Sequence, residues 1–113
     1  MAIDQPTVVD IIGVESTTGE VVLTISDHLD WNDSYQHQQM LQDKLNTYLA
    51  FIESGELCEK YPNAKGRRPR IDVVFRHKPD AEAYMFLSKA KSIVEKAGYG
   101  FRFELFSATP LEI

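Results

Sequence analysis

The chain has a single cysteine, Cys58, so no internal disulfide can form. A reducing, cytoplasmic setting is therefore expected. No apolar run approaches the roughly 18 residues that cross a bilayer, and no membrane association is expected. The first ten residues, MAIDQPTVVD, carry neither the basic segment nor the apolar core of a leader peptide. Catalytic signatures are missing as well. There is no GxSxG, CxxC or HExxH, and no calcium loop with a central glycine. No glycine-rich loop follows a strand to cradle phosphate: Gly66 stands alone, and Gly98-Tyr99-Gly100 comes after a helical segment. These absences exclude disulfide scaffolds and membrane spans, and they remove the motif-defined hydrolases, redox enzymes and nucleotide binders.

The 113 residues are 43% hydrophobic and 26% charged, which suits one soluble domain with a single core. That domain is expected to span 1–113, with 1–7 and 107–113 peripheral. Charge is unevenly placed along it. Residues 1–59 hold eleven acids and one base, Lys44, whereas residues 60–113 hold six acids and eleven bases. Two readings follow: two oppositely charged surfaces that only solubilise the domain, or poles that attract one another between molecules or recruit a charged partner.

The stretch from Asp33 to Gly55 is the clearest element. Leu41, Leu45, Tyr48, Leu49 and Ile52 form one stripe of a 3.6-residue helix. Gln38, Gln39, Gln42, Asp43, Asn46 and Glu53 form the opposite face. Asp33 is a suitable N-cap with Gln36 three residues on, and Gly55 suits the left-handed residue that ends a helix. A second helix is predicted between Pro79 and Gly98, with Ala83, Leu87, Ala90, Val94 and Ala97 repeating at four and three. A short helical turn is predicted over ELCEKYP, followed by a basic loop, PNAKGRRP.

Four segments read as strands: Val8–Val14, Glu20–Ser26, Arg70–His77 and Phe101–Phe106. The first two are close enough to form a hairpin. The order ββαβαβ predicts an α+β two-layer sandwich, with a mixed four-stranded sheet and both helices on one face. One open face is expected because Arg70, Asp72, Arg76, Arg102 and Glu104 alternate with apolar residues. Whether the third strand joins the first or the second is not written in the pattern.

The open face supplies interface candidates for a homodimer or another protein partner: Val22, Thr24, Val74, Arg76, Arg102 and Phe106. A second candidate site is the loop leading into the first helix, where Asp27, His28, Asp30, Trp31 and Asp33 gather polar groups where loops often carry sites. Carboxylates and imidazoles are metal ligands, but this spacing matches no metal motif, and neither metal nor cofactor is expected. Cys58 with His37 or His77 could be drawn as nucleophile and base, though nothing in the sequence places them together. Lys65, Arg67, Arg68 and Arg70 could hold phosphate, but the acidic net charge of −5 argues against nucleic acid.

The pieces GEVVLTISDHLDW, LQDKLNTYLAFIESGEL and YPNAKGRRPRIDVVF resemble a family of small bacterial proteins whose function is unassigned. The resemblance covers roughly residues 8–106. It implies a bacterial cytoplasmic protein and carries no catalytic residue or cofactor. The expected role is a non-enzymatic interaction module acting as a homodimer. The alternatives are a ligand- or metal-binding protein or enzyme built on the Asp27–Asp33 loop, and a nucleic-acid binder using loop 65–70.

Overall fold

The computed structural model describes residues 11–105. The expected peripheral segments 1–7 and 107–113, the first residues of the predicted first strand, and Phe106 lie outside the described residues. In chain order the elements are β1 (Ile11–Val14), β2 (Val21–Asp27), α1 (Ser34–Glu53), α2 (Glu56–Lys60), a 3-10 turn (Pro62–Ala64), β3 (Pro69–Phe75), α3 (Ala81–Lys96) and β4 (Gly100–Leu105). The ββαβαβ order is the predicted one. The 3-10 turn lies in what the sequence reads as basic loop.

The strands form one mixed sheet in the order β1-β2-β3-β4. The β1–β2 hairpin is antiparallel, and β2–β3 and β3–β4 are parallel. The open question of strand order is thereby answered: β3 lies beside β2, and β1 takes the edge. Each parallel pair is joined by a helical crossover, α1 and then α3.

The register explains the core. Leu23 faces Ile71 and Phe101 in one row across the sheet, and Ile25 faces Val73 and Phe103 in the next. These residues share one face because side chains alternate along a strand. Leu41, Leu45 and Tyr48 of α1 pack onto that face, with Leu87, Ala90 and Val94 of α3. Both helices therefore cover the same side, as the pattern predicts. Each large apolar side chain buried there contributes on the order of 1.5–3 kcal/mol.

The helix ends are set by side chains. Asp33 Oδ1 accepts from the Gln36 amide at 3.1 Å, and Asp80 Oδ1 accepts from the Ala83 amide at 2.8 Å. Pro79, which suits a first helical turn, instead precedes the cap, and Asp80 starts α3. Gly55 takes φ +88° between α1 and α2, a conformation that side chains with a Cβ rarely adopt. Asp80 also accepts from Ser34 Oγ at 3.3 Å, linking the starts of the two long helices.

Asp33→Ala and Asp80→Ala should each lower unfolding free energy by about 0.5–2 kcal/mol in a urea titration. The loss should be larger for Asp80, which holds both its own helix and Ser34.

Candidate functional site

The polar residues predicted around the start of α1 come together at the C-terminal ends of β2 and β3, on the helical side of the sheet. Asp27 shares strand parity with Val21, Leu23 and Ile25, so its side chain enters the covered face and is 1% exposed. It meets His37, one turn into α1: Asp27 Oδ2 lies 2.5 Å from Nε2. The other ring nitrogen, Nδ1, lies 2.9 Å from the Asp30 carbonyl. A carbonyl only accepts, so Nδ1 carries a proton, and the hydrogen bond to Asp27 needs one further proton between Nε2 and Oδ2. Asp27 Oδ1 also accepts from the Leu29 amide at 3.1 Å.

Trp31 closes the cluster. Its ring stacks on His37 with centroids 3.6 Å apart and planes 16° from parallel. Its indole N–H donates to the His77 carbonyl at 3.1 Å, which ties the end of β3 to the same point. Asp30 folds onto its own loop by accepting from the Asn32 amide. Asp33 is the cap of α1. His28 is exposed, and it lines a shallow depression of about 200 Å³ with Ser26, Val74 and Arg76 on the open-face side.

The structure thus brings Asp27, Asp30 and Trp31 onto His37 and leaves His28 apart, with Asp33 committed to the helix end. His37 is the residue that sequence reasoning left out of the core. The signal was present, because His37 stands four residues before Leu41 and extends the apolar stripe by one turn. Lys44 was missed in the same way. It follows Leu41 by three, its side chain is fully buried, and its Nζ lies 5.7 Å from the Tyr48 ring centre. The Tyr48 hydroxyl donates to the Thr24 carbonyl at 2.9 Å.

This geometry limits chemistry. A base must reach substrate with a free lone pair, and His37 is buried with both nitrogens engaged. Cys58 is exposed on α2. Among the described residues, no group of three His, Cys, Asp or Glu side chains is placed to hold a metal ion.

A second polar cluster sits on the open face, at the N-terminal ends of β2 and β3. Arg70 was expected to be displayed there, but it is 5% exposed. Three carboxylates enclose its guanidinium. Nε and Nη2 bind Asp72 in a bidentate pair at 2.8 and 3.0 Å. Nη1 donates to Glu15 at 2.7 Å and to Glu20 at 2.9 Å. Its stem lies across Gly100, where a Cβ would come within 2.9 Å of Arg70 Cγ. That close approach is what requires glycine at the start of β4.

Arg67 and Arg68 of the basic loop are also engaged. Arg67 donates to the Asn63 and Gly19 carbonyls. Arg68 pairs with Glu20 at 3.3 Å. Acids of the N-terminal half therefore meet bases of the C-terminal half within one chain, and the charge asymmetry is partly neutralised by folding. Arg70 hydrogen bonding, then Thr18, holds the Glu15 carboxyl below its usual value of 4.5.

The interface candidates occupy the open face. Val22, Thr24 and Val74 are half-buried along its middle, and Arg76 and Arg102 are exposed. Phe106 lies outside the described residues.

Fold and clusters together define a two-layer α+β sandwich whose two polar centres brace the sheet at opposite ends. The chain belongs to a family of unknown function (DUF6572), whose family model matches residues 1–107. No curated protein and no solved structure matches it. Among the described residues, no helix is long and apolar enough to cross a membrane.

Asp27→Ala would leave His37 buried without its partner, and should lower stability by about 3–5 kcal/mol. His28→Ala, at an exposed neighbour, should stay within about 0.5 kcal/mol. Urea unfolding followed by the fluorescence of Trp31, the single tryptophan, measures both.

The lowered Glu15 value has a pH consequence. The unfolded chain binds the Glu15 proton more readily than the folded chain, so its contribution is present above about pH 4.5 and is lost as pH falls through the lower folded value. Arg70→Met should flatten stability against pH in that acid window, as read by unfolding titrations at a series of pH values.

Proposed function

We propose that this protein is a non-enzymatic interaction module that works as a homodimer in the bacterial cytoplasm. One observation carries the reading: an apolar surface left open along the outer side of β4 and α3. Leu105 is 52% exposed and Tyr84 is 40% exposed. The half-buried Phe103 lies between them, its ring 6.1 Å from that of Tyr84. Apolar side chains grouped this way beside a strand edge that has no strand partner among the described residues are characteristic of surfaces that receive a protein.

Two further observations favour this reading over its rivals. In the Asp27–Asp33 loop, every carboxylate already accepts a hydrogen bond from within the loop or from the first turn of α1. That leaves less to offer a ligand. In the basic loop, Arg67, Arg68 and Arg70 donate to carbonyls and carboxylates of the same chain. Nucleic acid would have to displace those contacts to be held through phosphates. The exposed lone thiol of Cys58 fits a reducing compartment.

Native mass spectrometry and light scattering at micromolar concentration should give twice the 12.9 kDa chain mass. Leu105→Lys and Tyr84→Glu should each shift the population to monomer without changing the circular dichroism spectrum. A wild-type protein that stays monomeric at high concentration refutes the reading.

A further inference from the structure

Among the described residues, β1 lies at one edge of the sheet and β4 at the other. β4 offers six residues, GFRFEL, and pairs with β3 in unbroken register from Gly100 to Leu105. It contains no proline, bulge or lysine, the usual devices that keep an edge from pairing. Among the described residues its outer side has no strand partner.

Among the described residues, two charges on β4 have no hydrogen-bonded or ion-paired partner, although Arg102 is near enough to help lower the Glu15 carboxyl through space. Arg102 lies directly across from Asp72, but both oxygens of Asp72 are already held by Arg70. Glu104 lies across from Val74, which offers no charge. Neither Arg102 nor Glu104 forms a hydrogen bond or ion pair among the described residues, and both are exposed on the open face.

These two charges flank Phe103 symmetrically. A two-fold axis through Phe103 sets Arg102 of one copy opposite Glu104 of the other, and Glu104 opposite Arg102. On the helical side the same axis sets Phe103 against Phe103, and Phe101 against Leu105. The strand is self-complementary on both faces in one antiparallel register. Opposite charges directly across an antiparallel pair are favourable, and like charges are unfavourable. A two-fold interface must present one patch to its own copy, and β4 has that property.

We propose that the partner of β4 is β4 of a second copy, paired antiparallel about Phe103 to make a continuous eight-stranded sheet with four long helices on one side. Resting on the homodimer reading above, this names the surface, the register and the charge pairs. Tyr84 of α3, whose ring is 6.1 Å from that of Phe103, then lies near the two-fold axis, where its exposed surface is covered by the other copy.

The test uses two charge reversals on the full chain. Arg102→Glu places glutamates opposite Glu104 of the partner, and Glu104→Arg places arginines opposite Arg102. Each contact occurs twice by symmetry, so each variant alone should dimerise about tenfold more weakly or worse. Both positions are exposed, so both variants should keep the wild-type circular dichroism spectrum. An equimolar mixture of the two should form a heterodimer, because every β4 pair is then opposite in sign. The double variant R102E/E104R should dimerise like the wild type. Native mass spectrometry separates the species if one variant carries an isotope label. A monomeric wild type would overturn both the pairing and the homodimer reading. A dimeric wild type whose single variants dimerise normally, or whose mixture gives no preferred heterodimer, would overturn the β4 pairing alone.

Discussion

The hydrogen bond between Asp27 and His37 is the contact on which the arrangement of layers depends. Asp27 is the last residue of β2, and His37 lies in the opening turns of α1. Their bond fixes how α1 leaves the sheet, and so which face α1 covers. Trp31 extends the constraint by stacking on the imidazole and binding the backbone beyond β3. Ser34 extends it to the start of α3 through Asp80. Two strand ends and two helix starts are thus referred to one buried polar centre. Such a centre is costly to leave half-made, because a single unpaired charge in an apolar setting is far less favourable than the pair. That penalty favours one arrangement of the helices over others with the same apolar packing.

Arg70 plays the matching part at the opposite end of the sheet and on the opposite face. It holds the turn after β1 through Glu15 and Glu20, its own strand through Asp72, and β4 through van der Waals contact with Gly100. A guanidinium suits this position because its planar fork can satisfy several carboxylates at once. The consequence reaches the surface. With Asp72 occupied, Arg102 on the neighbouring strand is left with no partner in its own row. An internal bracing contact and a free external charge are therefore two results of the same geometry. The same folding pairs Glu15 and Glu20 of the acidic first half of the chain with arginines of the basic second half.

Much of the fold was legible because it rests on local rules. The four-and-three spacing of Leu41, Leu45 and Tyr48 marks α1, and Asp33 and Gly55 mark its ends. Alternation in Glu20–Ser26 and Arg70–His77 marks two strands with one covered face. The site was less legible, although its parts obey the same rules. Asp27 continues the parity of Leu23 and Ile25, and His37 continues the stripe of Leu41, so both could have been assigned to the core. What misleads is residue type: an acid and an imidazole are ordinarily solvent-facing, and each becomes tolerable inside only because the other is there.

The sequence by itself determined the main elements, their order, the single covered face and the ends of α1, because periodicity and capping act over a few neighbouring residues. Only the tertiary structure decided that β3 lies beside β2, that Asp27 meets His37, and that Arg70 is enclosed by Glu15, Glu20 and Asp72. Only there, among the described residues, does β4 become an edge without a strand partner, with Arg102 and Glu104 exposed on it. The reason is range. Glu15 and Arg70 are far apart along the chain, and no local pattern records which distant charge will stand opposite which once the strands are in register.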